Sequence, residues 1–221
     1  MARKRVAILI SGRGSNMISL VEAMQSGRID AEPVLVLSNR PDAAGLEAAA
    51  RLGILTRVID HREFKPRRRH DEAVVAALRE LDVDLVCLAG YMRLITKSFV
   101  EAYPDRILNI HPSLLPAFPG LDAQRQAVDY GVRYAGCTVH FVEEKTDHGP
   151  IVLQSVVPVE PDDDADRLSA RILEEEHELY IRAVELWAAE RLRFEGRRVR
   201  ILEPSVPAAP SREATREPGG V

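Results

Sequence analysis

Two side chains that could stabilise a developing negative charge, Asn109 and His111, stand two residues apart. On a β-strand this spacing places both side chains on the same face. An amide and an imidazole at the carboxyl end of a strand lie where open α/β sheets bind ligands, and Pro112 directly follows the pair. Because a single histidine is more often structural than catalytic, these two residues predict a site only together with a third group.

The candidate for that third group is Asp147, in the turn Asp147-His148-Gly149-Pro150. Asp-x-Gly is common in ordinary turns, so a structural explanation stands beside the chemical one. The carboxylate matters for chemistry only if it faces His111, because a buried aspartate favours the protonated, hydrogen-donating form of a neighbouring imidazole.

A glycine-rich turn, Ser11-Gly12-Arg13-Gly14-Ser15-Asn16, lies between the first predicted strand and the first predicted helix. Glycines allow backbone N–H groups to approach a ligand closely, and a helix N-terminus favours an anion. The dinucleotide fingerprint is incomplete because Met17 replaces its third glycine, and the P-loop lysine is absent. The turn therefore predicts a site for one phosphate group, with Ser15 and Asn16 bonding to phosphate or capping the helix. The alternative is a capped turn without a ligand.

The elements that would position these groups follow a strand–helix alternation in the first half of the chain. Strands are predicted at 6–10, 33–37, 54–59 and 84–89, and helices at 16–26, 42–52 and 68–81. The first, second and fourth strands are apolar almost throughout, as expected when a parallel sheet is covered on both faces.

The second half is less regular. It contains a predicted strand at 106–111, two predicted antiparallel strands at 135–142 and 151–159, and a long helix at 164–193. The expected buried side of that helix comprises Leu168, Ile172, Leu179, Val184 and Trp187. We predict an α/β fold with a single Rossmann-like open sheet, mostly parallel with an antiparallel portion in the C-terminal half and helices on both faces. The predicted domain spans 1–202, and the proline-rich segment 203–221 is expected to be a disordered tail.

Composition narrows the class of function. The 221 residues carry a formal net charge of −4, and the one basic run, at 62–70, lacks interleaved aromatics, so no nucleic-acid partner is expected. His61 and His140 have no partners at metal-ligand spacing, so no metal site is predicted. No segment reaches the ~20 apolar residues of a membrane helix, and the N-terminus lacks a signal-peptide core. With only Cys87 and Cys137, each in an apolar run, we expect a cytoplasmic protein.

Four segments, in this order, resemble the folate-dependent phosphoribosylglycinamide formyltransferases of purine biosynthesis. They are Ile10-Ser-Gly-Arg-Gly-Ser-Asn16, Leu88-Ala-Gly-Tyr-Met-Arg-Leu-Ile95, Leu108-Asn-Ile-His-Pro-Ser-Leu-Leu-Pro116, and Gly136-Cys-Thr-Val-His-Phe-Val142 continuing to Asp147-His-Gly-Pro-Ile-Val-Leu-Gln154. Each alone is weak evidence. Together they cover the chain from about Arg5 to Arg200 and leave only the tail outside.

The resemblance implies a role for each matching position. The catalytic residues would be Asn109, His111 and Asp147; the substrate phosphate would be bound by Gly14, Ser15 and Asn16, and glycinamide ribonucleotide also by Glu176; the folate would contact Arg67, Met92, Arg93, Leu94, Ile95 and Asn109. The co-substrate would be 10-formyltetrahydrofolate, without a metal. The implied partners are small molecules, with neither nucleic acid nor a membrane, and the protein would be a monomer or a homodimer.

The residue types suit this chemistry independently of the family. An amine attacks the formyl carbon, and the formyl oxygen gains negative charge. Asn109 and a protonated His111 can donate hydrogen bonds to that oxygen, while Asp147 keeps the imidazole protonated and helps to remove a proton from the amine.

Two positions depart from the family pattern. Leu121-Asp122-Ala123-Gln124-Arg125 replaces a loop that often carries histidines, and His148 stands where a small residue is commoner. The alternatives are a formyltetrahydrofolate hydrolase, a formyltransferase that acts on another amine, such as methionyl-tRNA, and a non-catalytic folate or nucleotide sensor. The complete phosphate turn favours a small phosphorylated acceptor, and retention of Asn109, His111 and Asp147 argues against a sensor.

Overall fold

The computed structural model describes residues 3–203 and contains one large mixed sheet. Its seven strands are β1 (Lys4–Ile10), β2 (Ala31–Ser38), β3 (Thr56–Val58), β4 (Leu85–Leu88), β5 (Ile107–His111), β6 (Tyr134–Phe141) and β7 (Ile151–Pro158). They lie in the order β3-β2-β1-β4-β5-β6-β7. The first five pair in parallel, whereas β6 is antiparallel to β5 and β7 to β6. The predicted fold class is confirmed.

Within residues 3–203, six α-helices cover the two faces of this sheet. They are α1 (Ser15–Gln25), α2 (Ala44–Arg51), α3 (Arg67–Arg79), α4 (Lys97–Ala102), α5 (Ala123–Tyr130) and α6 (Ala165–Ala188). Alternate residues of β1 enter two separate cores: Ile8 belongs to the cluster that includes α1 and α6, and Leu9 to the cluster that includes α3 and α4. This alternation follows from the period of two in a strand, and it explains why β1 is apolar throughout.

The end of the chain differs from the prediction. The last helix ends at Ala188 rather than at 193, and two short strands follow, β8 (Leu192–Glu195) and β9 (Arg198–Ile201), which form a separate antiparallel hairpin. Gly196 adopts a left-handed conformation (φ 62°) in the turn between them. Of the expected buried residues of α6, three are buried (Leu168, Ile172 and Val184), and two are half-buried (Leu179 and Trp187).

The predicted tail at 203–221 lies, apart from Glu203, outside the described residues. Within residues 3–203, no helix is long and apolar enough to cross a membrane. The same part of the chain contains no cluster of three or more His, Cys, Asp or Glu side chains that could hold a metal ion.

Candidate active site

The site lies at the carboxyl ends of β1, β4 and β5. Since these strands are parallel neighbours, their ends meet at one edge of the sheet, and β1 is the point where the strand order reverses. Such a reversal opens a crevice between the loops that leave adjacent strands. The phosphate turn follows β1, the loop 89–96 follows β4, and Asn109 and His111 stand on β5.

Ser11 joins the first two of these loops. Its backbone N–H donates to the Gly90 carbonyl oxygen (3.1 Å), and its Oγ accepts a hydrogen bond from the Met92 N–H (2.8 Å). The hydroxyl also donates to Asn39 Oδ1 at 2.5 Å, at the end of β2. Sequence reasoning assigned Ser11 no role of its own, although this buried side chain connects the turn to the loop.

The structure brings Asn109, His111 and Asp147 together. His111 Nδ1 lies 3.5 Å from Asp147 Oδ2, and the two side chains are only 7% and 9% exposed. Asp147 also accepts the Gly120 N–H at 2.8 Å. The condition set by the sequence analysis, that the carboxylate face the imidazole, is therefore met.

A second histidine, His140, completes this cluster. It stands opposite Asn109 in the β5–β6 ladder, where the Asn109 Nδ2 and His140 Nε2 atoms are 3.2 Å apart. His140 Nε2 is also 3.7 Å from Asp147 Oδ1, and its Nδ1 is 2.8 Å from the Phe141 carbonyl oxygen. Since a carbonyl only accepts, Nδ1 carries the hydrogen, and in the neutral ring Nε2 accepts from the Asn109 amide. His140 therefore orients Asn109.

The charges of the cluster favour an ionised Asp147. Burial raises the pKa of Asp147, but the contact with His140, the hydrogen bond from the Gly120 N–H and the nearby His111 imidazole together outweigh burial and lower the pKa below its ordinary value of 3.8. The ring nitrogens of His111 both face oxygens, because Nε2 lies 2.9 Å from the Phe118 carbonyl. Both partners accept hydrogen bonds, so the protonated ring satisfies both contacts. To donate to a substrate, His111 Nε2–H must share or leave the Phe118 carbonyl.

The phosphate turn has the backbone geometry that the glycines predicted. Gly14 is the N-cap of α1 with φ 77°, and no side chain caps the helix; of the two roles offered for Ser15 and Asn16, capping is therefore wrong and phosphate binding stays a prediction. A Cβ on Gly14 would lie 3.0 Å from the Gly45 Cα, because the turn packs against the first turn of α2. Backbone N–H groups of α1 are thus left for an anion.

Asn16 faces α6. Its Nδ2 donates to Glu176 Oε2 at 2.8 Å, and both side chains are buried. Burial raises the pKa of Glu176, while the hydrogen bond from Asn16 lowers it, and burial prevails. Asn16 Oδ1 is buried with no hydrogen-bond partner among the described residues, which marks a polar group that a ligand could satisfy.

The loop 89–96 presents apolar side chains to solvent. Met92 is 65% exposed and Leu94 54%, whereas Arg93 and Ile95 are half-buried. Arg93 Nε is buried and, within residues 3–203, has no hydrogen-bond partner. Adjacent exposed apolar groups beside a crevice are typical of a ligand-binding surface.

The far end of this loop is fixed by α3. The Thr96 N–H donates to Asp71 Oδ2 at 2.7 Å, and Asp71 Oδ1 is 3.4 Å from His70 Nδ1 in a fully buried pair. Arg67 is the exposed first residue of α3 and precedes Asp71 by one helical turn, so it lies on the same side of the helix. Sequence reasoning missed Asp71 because its position in a basic, solvated helix start gave no sign of burial.

A family model described as formyl transferase matches residues 4–184. The chain belongs to this family. The match covers β1 through most of α6 and therefore includes every side chain of the candidate active site described so far. The family resemblance inferred from the four segments is confirmed.

Among its relatives, this formyl transferase is 40% identical to the phosphoribosylglycinamide formyltransferase of Haemophilus influenzae, over 86% of this chain and 90% of that protein. It is 47% identical to the trifunctional purine biosynthetic protein adenosine-3 of Drosophila melanogaster, over 82% of this chain but only 14% of the length of that relative. The crystal structure of glycinamide ribonucleotide transformylase 1 from Symbiobacterium toebii superposes with a TM-score of 0.90 at 51% identity, covering 91% of this chain and 95% of that one.

The two segments that depart from the family pattern both adjoin the catalytic cluster, because Leu121 follows Gly120, whose N–H binds Asp147, and His148 directly follows Asp147. Asp122 adopts a left-handed conformation (φ 55°) at the start of α5, and Leu121 is 74% exposed. His148 is exposed and contacts Arg197, in the turn of the β8–β9 hairpin. Among the described residues, no side chain of either segment forms a hydrogen bond with Asn109, His111, His140 or Asp147.

Proposed function

We propose that this chain transfers the formyl group of 10-formyltetrahydrofolate to the amine of 5'-phosphoribosylglycinamide, a step in purine biosynthesis. The observation that carries this proposal is the cluster of Asn109, His111 and Asp147, with the phosphate turn and the apolar loop 89–96 at the same edge of the sheet. A phosphorylated amine on one side and a folate on the other would meet at these three side chains. The names of the relatives point to the same reaction.

The chemistry assigned to the cluster is the stabilisation of a developing oxyanion. Asn109 Nδ2 and the protonated His111 would donate to the formyl oxygen, and one such donor is worth about 3–4 kcal/mol of transition-state stabilisation in comparable sites. Asp147 balances the imidazolium charge and accepts a proton from the attacking amine, directly or through water. The same groups can return that proton to the departing folate nitrogen.

Each substrate would have its own binding surface beside the cluster. Gly14, Ser15 and Asn16 would hold the phosphate, chiefly through the backbone N–H groups at the start of α1, and Glu176 would contact the ribonucleotide. Met92, Arg93, Leu94 and Ile95 would line the folate pocket together with Asn109, and Arg67 would reach the charged end of the folate. The apolar exposure of the loop and the unpartnered Arg93 Nε support this placement.

We also propose the partners, the location, the oligomeric state and the domain bounds of the protein. Its substrates are small molecules without nucleic acid, its location is the cytoplasm, and it is a monomer or a homodimer. The active domain spans residues 1–202, because Leu202 still forms two hydrogen bonds with Arg191, through its N–H (2.8 Å) and its carbonyl oxygen (2.7 Å). A chain that ends after Leu202 is expected to keep full activity, and loss of activity would refute this boundary.

The deciding experiment measures the absorbance change of a 10-formyl folate with and without glycinamide ribonucleotide. Deformylation only in the presence of the ribonucleotide is the expected result. Deformylation without it would indicate a hydrolase, and no deformylation in either case would mean another acceptor or a binding role. His111→Ala serves as the matched control, because any deformylation that survives in this variant does not come from the proposed cluster.

A further inference from the structure

The β8–β9 hairpin contacts both ends of the loop that carries Asp147. At the start of the loop, the Phe194 ring packs against Phe141, with 4.8 Å between the ring centroids. At its end, the guanidinium of Arg197 contacts His148, the residue after Asp147. The family model ends at residue 184, so the hairpin lies outside the matched region.

The Arg197 contact has two components. Nη1 lies 3.0 Å from His148 Nδ1, and Nη2 donates to the His148 carbonyl oxygen. A guanidinium only donates, so His148 Nδ1 must accept and the ring proton lies on Nε2. Arg197 therefore engages both the side chain and the backbone of His148, while the Asp147 carboxylate faces His111 and His140.

Asp147 needs such support because its own backbone is in an uncommon conformation. Its φ is 51°, in the left-handed region that residues other than glycine rarely adopt. The four residues before it, at 143–146, are exposed. The only hydrogen bond to its carboxylate that meets ordinary distance limits within the described residues comes from the Gly120 N–H. Two residues after Asp147, the backbone of Gly149 packs directly against the end of β6, where a Cβ would lie 1.8 Å from the Phe141 carbonyl oxygen.

We propose that Arg197 is a positioning residue for formyl transfer: by bridging the His148 side chain and backbone, it holds the Asp147 carboxylate against His111. This inference rests on the function proposed above. A displacement of about 1 Å in a catalytic group can cost on the order of 100-fold in rate. Because Arg197 touches neither substrate site, its loss lowers kcat and leaves both KM values close to those of the wild type.

The test compares four full-length proteins: wild type, Arg197→Ala, Arg197→Lys and the control Arg193→Ala. Arg193 is an exposed arginine of the same hairpin whose guanidinium pairs with Glu195 inside the hairpin (3.0 Å), so its removal affects the hairpin but not the loop. Steady-state kinetics give kcat and both KM values, thermal denaturation gives Tm, and hydrogen exchange reports on the amides of residues 143–149.

We expect Arg197→Ala to lower kcat at least tenfold with both KM values within twofold, with faster exchange in the loop and a Tm equal to that of Arg193→Ala. Arg197→Lys recovers part of kcat, because the ammonium can donate to the carbonyl but lacks the rigid fork with which the guanidinium meets both acceptors at once. The proposal is overturned if the kcat of Arg197→Ala lies within twofold of the kcat of Arg193→Ala, whether both variants keep the wild-type kcat or both lose it equally. If the wild type transfers no formyl group, the proposed function has failed instead. The exchange of the amides at 143–149 still reports whether Arg197 holds the loop, so the two failures can be told apart.

Discussion

Asp147→Asn separates the charge of this carboxylate from its shape. The replacement keeps an oxygen that can accept the Gly120 N–H, and asparagine tolerates the left-handed backbone at this position as well as aspartate does. What disappears is the negative charge 3.5 Å from His111 Nδ1. We therefore expect a folded protein that has lost the counter-charge of its imidazolium.

The separation of the two groups sets the size of the effect. At an effective dielectric constant of about 20, a pair of unit charges 3.5 Å apart interacts with roughly 5 kcal/mol. If His111 must be protonated when the formyl oxygen gains charge, most of that energy is lost from the transition state. A loss of this size lowers kcat by about three orders of magnitude.

The assay is formyl transfer at saturating concentrations of both substrates, with Tm as the control for folding. KM for each substrate is expected to change less than about threefold, because neither proposed binding surface includes the carboxylate. A kcat within tenfold of the wild type, in a protein of unchanged Tm, would refute the assignment of Asp147 as the counter-charge of His111.

Three further variants test residues that support the two proposed substrate-binding surfaces. Asp71→Ala removes the buried acceptor of the Thr96 N–H, so we expect a loss of about 1–3 kcal/mol of unfolding free energy and a raised KM for the folate; an unchanged KM would contradict the role of Asp71 in the loop. Gly45→Ala places a Cβ 2.6 Å from Ile10 Cδ1, which should cost about 1–3 kcal/mol in denaturant titrations and raise KM for the phosphorylated substrate. Because burial raises the pKa of Glu176 above 4.5, its ionisation costs stability as pH rises; Glu176→Gln should therefore raise Tm at pH 8 and match the wild type below pH 4. Equal Tm values at both pH values would contradict that reasoning.

The sheet could be predicted because its central strands are buried on both faces and therefore read as continuous apolar runs. The β8–β9 hairpin could not be predicted from the apolar pattern. Leu192 and Phe194 follow Trp187 closely enough to extend the apolar pattern of α6. The helix ends at Ala188, and the left-handed residue just beyond it is Glu190 (φ 54°) rather than a glycine that would mark the end. A helix end formed by an ordinary residue leaves no signal in the sequence, so the prediction continued the helix to 193.

The catalytic cluster, like the fold, could be predicted from the sequence only in part. Asn109 and His111 share one strand, so their spacing alone placed them together. The residues offered Asp147 only on the condition that it face His111, and only the family resemblance made it a member of the catalytic group. His140 was dismissed because the search considered metal-ligand spacing, but its partner is Asn109, directly opposite across an antiparallel ladder. Only the register of β5 against β6 identifies that pair, and periodicity does not specify register. The amide proposed to stabilise the oxyanion is therefore oriented by a histidine that only the strand pairing reveals.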